Sequence, residues 1–428
     1  MNSSDTIAAI ATAPGRGGVA VVRVSGPDAW DVARKVAGRE IVPSDAGRFF
    51  FSEFRDQSGA VVDSGLVLVF KAPASYTGEN VIEFQGHGGS VAPRRVLEAC
   101  FAAGARLARR GEFTERAFLN GKLDLSAAEA VIDLVDARTD RAADEAQSRL
   151  RGVLSDRYES LYRDAIECSS RMEHLLDVDE GEIPEGTMES YSGDLLSLKS
   201  RISKLLSTAR EGKILREGAL VVLAGRPNAG KSSLMNALLG ENRAIVSDVA
   251  GTTRDSIEEG LDIDGWPIRI VDTAGLRATD DAIEAEGVVR AEELMAKADI
   301  VLALDCDIDG AILVHAKCDL DDETTLHDSG AIRVSARTGE GLQSLKDAIA
   351  GKLRELSAGA SEDVADVTAR QTDLLAKALA ALEGTDPSDP VLAANALRLA
   401  AQSIGEIIGK TYSEDLLDSL FSRFCVGK

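Results

Sequence analysis

The sequence predicts a multidomain protein in which an α/β domain is inserted into a helical domain, after an N-terminal α+β domain. Two blocks of helix-forming sequence, 121–216 and 352–428, flank a middle block, 217–351, in which buried-strand runs alternate with helical segments. Residues 1–120 instead mix short β-rich runs with glycine clusters, as α+β domains do. A chain of 428 residues has room for two or three domains.

In the N-terminal block, two β-rich runs and two helical runs carry this prediction. The runs Gly18–Val24 and Gly65–Phe70 predict strands, and Ala29–Val36 and Val96–Ala103 predict helices. The first helical block opens at Ser126, whose capping-box spacing to Glu129 predicts a helix start there. At the end of the chain, apolar residues at i, i+4 and i+8 within 416–424 predict a packed helix.

The middle block contains four buried-strand runs typical of a parallel sheet: Leu220–Ala224, Ile268–Val271, Ile300–Leu304 and Ile312–His315. Only residues 306–311 separate the last two runs, whereas a parallel crossover needs about a dozen residues. Either the crossover helix is absent, or the strand assignment is wrong there.

Composition restricts the class of protein. The net charge of −23 and pI near 4.7 disfavour binding of nucleic acid over the whole surface, so RNA contact must come from a local basic patch or a partner. Five separated cysteines without metal-ligand spacing indicate reduced thiols. No basic signal-peptide region is present, and no apolar run approaches the roughly 20 residues of a membrane span, so we expect a soluble cytoplasmic protein.

A phosphate-binding loop is the strongest motif in the chain. Gly225–Ser232 fits G-x-x-x-x-G-K-[ST] between an apolar strand and a helical run. Backbone N–H groups of such a loop wrap phosphates, Lys231 reaches the β- and γ-phosphates, and the Ser232 hydroxyl ligates Mg²⁺. A chance glycine loop is the alternative, and the strand–loop–helix context argues against it.

Two later motifs complete a nucleotide site. Asp272 ends a strand, where it can hold Mg²⁺ through water, and Gly275 can offer its N–H to the γ-phosphate. The threonine loop 251–255 is suited to closing on both. Together with the P-loop they predict a Ras-like P-loop GTPase domain over 217–351.

The base-recognition motifs are incomplete. Asp319 can accept hydrogen bonds from guanine, and Ser335-Ala336 can present a backbone N–H to its O6, but Ala316 stands where GTPases carry Asn. The alternative for Asp319 is a solvated loop acid. Leu276 replaces the glutamine that positions water in Ras-like enzymes. Glu284, in the stretch 280–284, is a carboxylate close enough in sequence to take over that task, although on this pattern alone a solvated acid at a helix start is the better explanation.

These motifs and both ends of the chain resemble the MnmE/TrmE family of tRNA-uridine-modifying GTPases over nearly the whole sequence. The strings that carry the resemblance are Asp5–Thr12, Pro14–Gly18, Ser75–Glu79, Gly86–Gly89, Gly111–Lys122 and Phe424–Lys428.

The resemblance implies a tetrahydrofolate-binding and dimerisation domain over 1–120, a helical domain over 121–216 and 352–428 that ends in a C-x-G-K motif, and a GTPase domain over 217–351. It implies K⁺-stimulated, Mg²⁺-dependent GTP hydrolysis, a homodimer, and a complex with the FAD-dependent partner MnmG (GidA). The complex adds aminomethyl or carboxymethylaminomethyl groups to C5 of the wobble uridine of tRNA, using a folate one-carbon unit.

The resemblance also assigns roles to residues of the GTPase domain. It implies K⁺ ligation by Asn228 and by the loop residues Ser247, Val249 and Thr252, Mg²⁺ ligation by Ser232 and Thr253, and activation of water by Glu284. The implied GTP contacts are Asn228, Ala229, Gly230, Lys231, Ser232, Ser233, Ser247, Thr252, Thr253, Asp272, Gly275, Asp319, Ser335 and Ala336.

In the N-terminal domain, the implied folate contacts are Arg23, Glu83, Lys122 and Lys428. Arg23 could instead be a strand-edge charge and Lys122 a helix-flanking cation. For Cys425 we favour a structural role over a nucleophilic one, because no His lies nearby in sequence.

Two other functions compete with this prediction. The GTPase motifs alone also suit a GTP-switched RNA or ribosome assembly factor without modification chemistry, but a pure switch has no need of the N-terminal strings and the terminal C-x-G-K motif. The N-terminal half could also be a one-carbon transferase joined to a degenerate regulatory GTPase.

Overall fold

The computed structural model describes residues 5–176, 184–242, 258–272, 292–320, 330–357, 367–386 and 389–428. They form two compact units. The first unit joins Met1–Ile132 to Ile408–Lys428, and the second is Asp133–Ile407. The multidomain α/β plus α class is therefore confirmed, whereas the exact bounds of the predicted domains stay a prediction.

The first unit is built on a six-stranded sheet of order β3-β4-β5-β2-β1-β6, antiparallel except for the parallel pair β1 and β6. Its strands are β1 (Ile7–Ile10), β2 (Ala20–Ser25), β3 (Phe49–Arg55), β4 (Val61–Phe70), β5 (Val81–Gly86) and β6 (Arg106–Leu107). The helices α1 (Ala29–Ala37) and α2 (Ala92–Ala103) pack on one face, where alternating strand residues bury the core. The four predicted elements are confirmed.

Three further helices belong wholly or mainly to this unit: α3 (Glu112–Leu119), α4 (Leu125–Asp136) and the terminal helix (Glu414–Phe421). The capping box at Ser126 was a wrong prediction. The Asp124 carboxylate accepts the Ala127 N–H at 2.8 Å, so the helix starts earlier and Ser126 lies inside it, buried.

The predicted terminal helix is confirmed, but it ends at Phe421 and its buried positions differ from the predicted stripe. Leu417 and Phe421 are buried, whereas Leu416 and Leu420 are half-buried.

The second unit contains a helical part and an α/β part. The helices of the helical part are α5 (Asp140–Leu150), α6 (Val153–Leu175), α7 (Thr187–Leu206), α8 (Ala209–Glu217), and, after the α/β part, Ala369–Glu383 and Pro390–Ile408. Buried contacts join the two stretches: the Tyr158 hydroxyl donates to Gln371 Oε1 at 3.1 Å.

The expectation that no apolar run approaches the length of a membrane span was wrong. Helix Pro390–Ile408, with 19 residues and a mean hydropathy of 1.2, is long and apolar enough to span a membrane. Just over half of it is buried within the protein, and Ser169 donates to the Ala394 carbonyl oxygen on it. Its alanine- and leucine-rich composition therefore also suits a core helix.

The α/β part is a second six-stranded sheet of order β12-β11-β10-β7-β9-β8, parallel except for β8. Its strands are β7 (Ala219–Gly225), β8 (Glu258–Ile263), β9 (Trp266–Asp272), β10 (Ile300–Leu304), β11 (Ile312–Ala316) and β12 (Ile332–Val334). Helices α9 (Lys231–Asn242) and α10 (Leu342–Leu356) share its main core. The four predicted strands are confirmed.

The structure resolves the question of the crossover between β10 and β11. The two strands are parallel neighbours with Leu302 opposite Ile312, and residues 305–311 between them form turns without a helix. Both strand assignments are right and the crossover helix is absent. Asp305, the first residue of this connection, has a left-handed φ of 49°, and its N–H donates to the Val314 carbonyl oxygen at 3.0 Å.

Two candidate functional sites

The P-loop lies between the buried strand β7 and the start of α9. Gly225 has φ of 149°, and a Cβ there would come within 2.6 Å of the Leu304 carbonyl oxygen, so only glycine fits. Asn228 takes a left-handed φ of 62°, which is uncommon for a non-glycine residue. The loop residues Ala229 and Gly230 lead into the first helical turn, which contains Ser233, so backbone N–H groups converge at a helix N-terminus.

Among the described residues, those predicted to handle phosphate and Mg²⁺ lie together. The Lys231 side chain is buried, and its Nζ donates to the carbonyl oxygens of Gly225 and Arg226 at 2.9 Å. Ser232 Oγ donates to Asp272 Oδ2 at 2.5 Å. A hydroxyl and a carboxylate side by side provide the hard oxygen donors that Mg²⁺ prefers.

At the base-recognition end, Asp319 is held by two partners and is not a free solvated acid. Its Oδ1 accepts from Ser335 Oγ at 2.7 Å, and its Oδ2 accepts from Arg337 Nε at 2.9 Å. The hydrogen bond from Ser335 lowers the pKa of Asp319 most; burial opposes this, and a backbone hydrogen bond and the one from Arg337 lower the pKa further. Lys317 donates from Nζ to the Asn228 carbonyl oxygen at 2.7 Å and so ties this segment to the P-loop.

Several predicted nucleotide residues lie outside the described residues, and the structure tests none of their roles. These are Ser247, Val249, Thr252, Thr253, Gly275, Leu276 and Glu284.

In the first unit, two of the predicted folate residues form an ion pair across neighbouring strands. Arg23 on β2 is the register partner of Glu83 on β5, and its Nε donates to Glu83 Oε1 at 2.8 Å. The guanidinium lies 5.4 Å from the centre of the Tyr76 ring and 5.6 Å from that of Phe113. Tyr76 and Phe113, which were not among the predicted folate residues, thus contact Arg23, and both lie in the strings that carry the family resemblance.

The Tyr76 side chain is fixed by its own contacts. Its hydroxyl and Thr114 Oγ1 are 2.8 Å apart, and burial raises the pKa of Tyr76 despite the nearby Thr114 and Arg23. Lys122 packs against the loop 71–80, which contains Tyr76: its Nζ donates to the Pro73 carbonyl oxygen at 3.2 Å. The loop thus lies beside both Arg23 and Lys122.

The 425–428 segment is docked in this unit. Arg110 Nε donates to the Phe424 carbonyl oxygen at 3.0 Å, and Arg110 also forms an antiparallel bridge with Val426. The main-chain oxygen of Lys428 accepts the Phe113 N–H at 3.3 Å. The main chain of Lys428 is therefore tied to Phe113, whose ring lies beside Arg23.

Close packing also requires a glycine in this segment. Gly427 has φ of 101°, and a Cβ there would come within 2.3 Å of the Ile10 carbonyl oxygen. Cys425 is exposed, whereas Cys100, Cys168 and Cys318 are buried.

A network of ion pairs, centred on the buried side chains of Glu112, Glu115 and Arg116, surrounds α3. Burial alone would raise the pKa of Glu112, but hydrogen bonds from Arg106, the Arg109 backbone and Arg116 lower it to about 2. Glu115 behaves oppositely: burial raises its pKa although Arg109 opposes the rise, and its Oε1 has no hydrogen-bond partner among the described residues. This network fixes the helix that contains Phe113.

Two family models match the chain. The model of the MnmE helical domain matches residues 125–425, and the model of the GTP-binding protein TrmE N-terminus matches residues 6–122.

Curated relatives match over the full length. The tRNA modification GTPase MnmE of Neisseria meningitidis serogroup A is 44% identical, covering 99% of both chains. The protein of the same name from Alkalilimnicola ehrlichii is also 44% identical over 99% of both chains. Among solved structures, the G domain of the T. maritima FeoB iron transporter is 26% identical, covering 32% of this chain and 98% of that one, with a TM-score of 0.23.

Proposed function

This chain belongs to the MnmE family of tRNA modification GTPases, and from that premise we propose how its two sites divide the work. As a GTPase of tRNA modification it binds GTP, and GTPases of this kind use Mg²⁺. The observation that carries the nucleotide site is the juxtaposition of Ser232 and Asp272 beside the buried Lys231, at the end of a parallel strand.

For GTP hydrolysis, each residue has a distinct task. Lys231 would exchange its two loop carbonyls for β- and γ-phosphate oxygens, and its charge would stabilise the developing negative charge. Ser232, with Asp272 beside it and Thr253, would hold Mg²⁺, which supplies further positive charge when bound. Leu276 has no polar group with which to orient the attacking water. Glu284 would therefore take this task and accept the proton of the water.

A potassium ion would supply charge where other GTPases use an arginine finger. Asn228 supports this proposal, since it lies within the P-loop and its left-handed backbone is held there by a hydrogen bond from the Lys317 ammonium. Ser247, Val249 and Thr252 would complete the coordination.

The second site would bind a tetrahydrofolate derivative and present its one-carbon unit. Glu83 can accept and Arg23 can donate hydrogen bonds, as a pterin ring edge requires, and the exposed Tyr76 ring offers an apolar face beside Arg23, while the buried Phe113 ring backs the guanidinium. Lys122 and Lys428 would pair with the carboxylates of the glutamate tail.

The partners follow from the same premise. The chain would act as a homodimer through its N-terminal unit, where Phe49 and Phe51 on the edge strand β3 are about 70% exposed. With MnmG it would install aminomethyl or carboxymethylaminomethyl groups at C5 of the wobble uridine, and tRNA would be bound mainly by the complex. Such an enzyme would act in the cytoplasm.

The experiment that tests the nucleotide part measures GTP hydrolysis in K⁺ and in Na⁺, with and without competing ATP. We expect faster hydrolysis in K⁺ and only weak competition by ATP. Equal rates in the two salts would remove the potassium site. Glu284→Ala should lower kcat by about 10²–10⁴, the range for losing a general base.

The assembly-factor alternative is not favoured, because the full-length relatives are tRNA modification GTPases. Loss of the modified uridine in cells that lack this chain would distinguish the two readings directly.

A further inference from the structure

Helix α5 of the helical part packs against the tip of the β8–β9 hairpin. Trp266, the first residue of β9, is buried, and the Arg141 guanidinium on α5 lies 3.9 Å from its ring centre. Arg141 also pairs with Glu211 on α8. Gly265, at the tip, has φ of 79°, and a Cβ there would lie 3.4 Å from Arg141 Cβ. We call these contacts the Arg141–Trp266–Glu211 joint.

The joint is partly desolvated and held by stacking: Trp266 is buried, whereas the Arg141 side chain is 40% exposed. The Glu211 side chain is only 12% exposed, and burial raises its pKa although Arg141 opposes the rise. The buried Trp266 indole N–H has no acceptor among the described residues, so the ring is held without a hydrogen bond. A cation over a tryptophan face is attracted more strongly as the pair is withdrawn from water, so this half-exposed guanidinium over a buried ring lies between the exposed and the desolvated case.

The other end of the same strand lies in the nucleotide site. β9 runs from Trp266 to Asp272, whose carboxylate accepts from Ser232. The strand pairs with β7 on one side and with β8 on the other, so it is an interior strand about 20 Å long at the usual rise per residue. A strand paired on both sides moves as a stiff element, and a displacement at one end must be accommodated at the other.

We propose that Arg141 is a positioning residue of the GTPase site, which acts through Trp266 and β9 on the seat of Asp272. The Arg141–Trp266–Glu211 joint and the binding of Mg²⁺ with GTP stabilise each other. Because such coupling is reciprocal, occupancy of the nucleotide site is reported at α5 and α8. This goes beyond hydrolysis, since it names the route by which the nucleotide state reaches the helical part.

Tryptophan fluorescence tests the proposal, because the chain has only two tryptophans, Trp30 and Trp266. In a Trp30→Phe protein, Mg²⁺ with a non-hydrolysable GTP analogue should change the Trp266 emission. Adding Arg141→Ala should abolish that change and weaken binding of the analogue with Mg²⁺ by roughly 5- to 150-fold, the usual range of coupling between sites.

The chain offers a matched control with the same chemistry. The Arg171 guanidinium lies 5.2 Å from the Tyr191 ring centre and pairs with Asp194, within the helical part. Arg171→Ala should leave both the emission response and analogue binding unchanged.

A double-mutant cycle separates coupling from general destabilisation. Trp266→Phe removes no hydrogen bond, so its effect on analogue binding should be non-additive with that of Arg141→Ala. The proposal is overturned if Trp266 emission does not change when the nucleotide binds, or if Arg141→Ala has no more effect than Arg171→Ala. It is also overturned if the effects of Arg141→Ala and Trp266→Phe on the free energy of analogue binding are simply additive.

Discussion

The two units of this chain differ sharply in charge. Residues 1–132 with 408–428 contain 18 Lys and Arg against 18 Asp and Glu, whereas residues 133–407 contain 30 against 53. The whole net charge of −23 therefore lies in the unit that contains the nucleotide site. Because a strongly acidic surface repels the nucleic-acid backbone, any direct contact of this chain with tRNA phosphates is expected on the neutral unit.

The two sites also differ in how their cations are employed. In the acidic unit, Lys231 donates to main-chain carbonyls of the P-loop, which it can exchange for phosphate. In the neutral unit, Arg23 is already paired with Glu83, and Arg116 with three carboxylates around α3. The first arrangement suits an anion, and the second suits a ligand that both donates and accepts hydrogen bonds. Separate substitutions should therefore affect one site and spare the other.

The largest difference between the effects on the two sites should come from Lys231→Ala. Removal of a single neutral donor at a developing charge costs about 10²–10³ in rate, and loss of this buried cation should abolish measurable GTP hydrolysis. Folate binding, measured by calorimetry, should be unchanged. Lys352→Ala, at an exposed ion pair with Glu355, is the control. Near-normal turnover in the Lys231 variant would remove the GTPase assignment.

The reverse separation should come from deletion of residues 425–428. Hydrolysis should persist, tRNA modification should be lost, and folate should bind about 10- to 100-fold more weakly, because a charge-assisted hydrogen bond is worth about 1.5–3 kcal/mol. Arg110→Ala should move folate affinity in the same direction, since Arg110 holds both neighbours of Cys425. A truncated protein that modifies tRNA at the normal rate would refute this role.

A smaller effect is expected at the base-recognition end of the acidic unit. Ala316→Asn should raise the preference for GTP over ATP about two- to tenfold, because one base-reading hydrogen bond is worth roughly 0.5–1.5 kcal/mol. Ala311→Asn, in the β10–β11 connection, is the control. Nanomolar GTP affinity with complete rejection of ATP in the unsubstituted protein would show that another residue fills the gap.

The smallest effect concerns Glu115 in the neutral unit. Burial raises its folded-state pKa, so the carboxylate destabilises the fold above the unfolded pKa near 4.3. At pH 8, Glu115→Gln should raise the thermal midpoint, by about 2–4 °C for each kcal/mol added to the free energy of unfolding. This rise should vanish as the pH falls below about 4, where the carboxyl group is protonated in both states. Glu98→Gln, in an exposed pair with Arg94, should change little. A gain that persists at pH 3 would contradict the proposed cause.

Sequence predicted best where local pattern and tertiary structure agree. The short apolar runs of β7 and β10 are typical of interior strands of a parallel sheet, and the P-loop needs nothing beyond its own strand, glycines and helix. Tyr76 and Phe113 were missed because their relation to Arg23 depends on a loop and a helix that come from distant parts of the sequence. The cap of α4 was misplaced because Asp124 and Ser126 both suit an N-cap, and only the three-dimensional start of the helix distinguishes them.

The docking of residues 408–428 into the first unit also has a consequence for biosynthesis. A ribosome must synthesise residues 133–407 before the segment that contributes Phe421, Phe424 and the bridge at Val426. Until then, the first unit cannot close its packing around Gly111, whose missing Cβ makes room for the Phe421 carbonyl oxygen. Contacts so far apart in sequence form slowly. The N-terminal unit would therefore be the last part of the molecule to mature, and a chain released early from the ribosome would lack a finished second site.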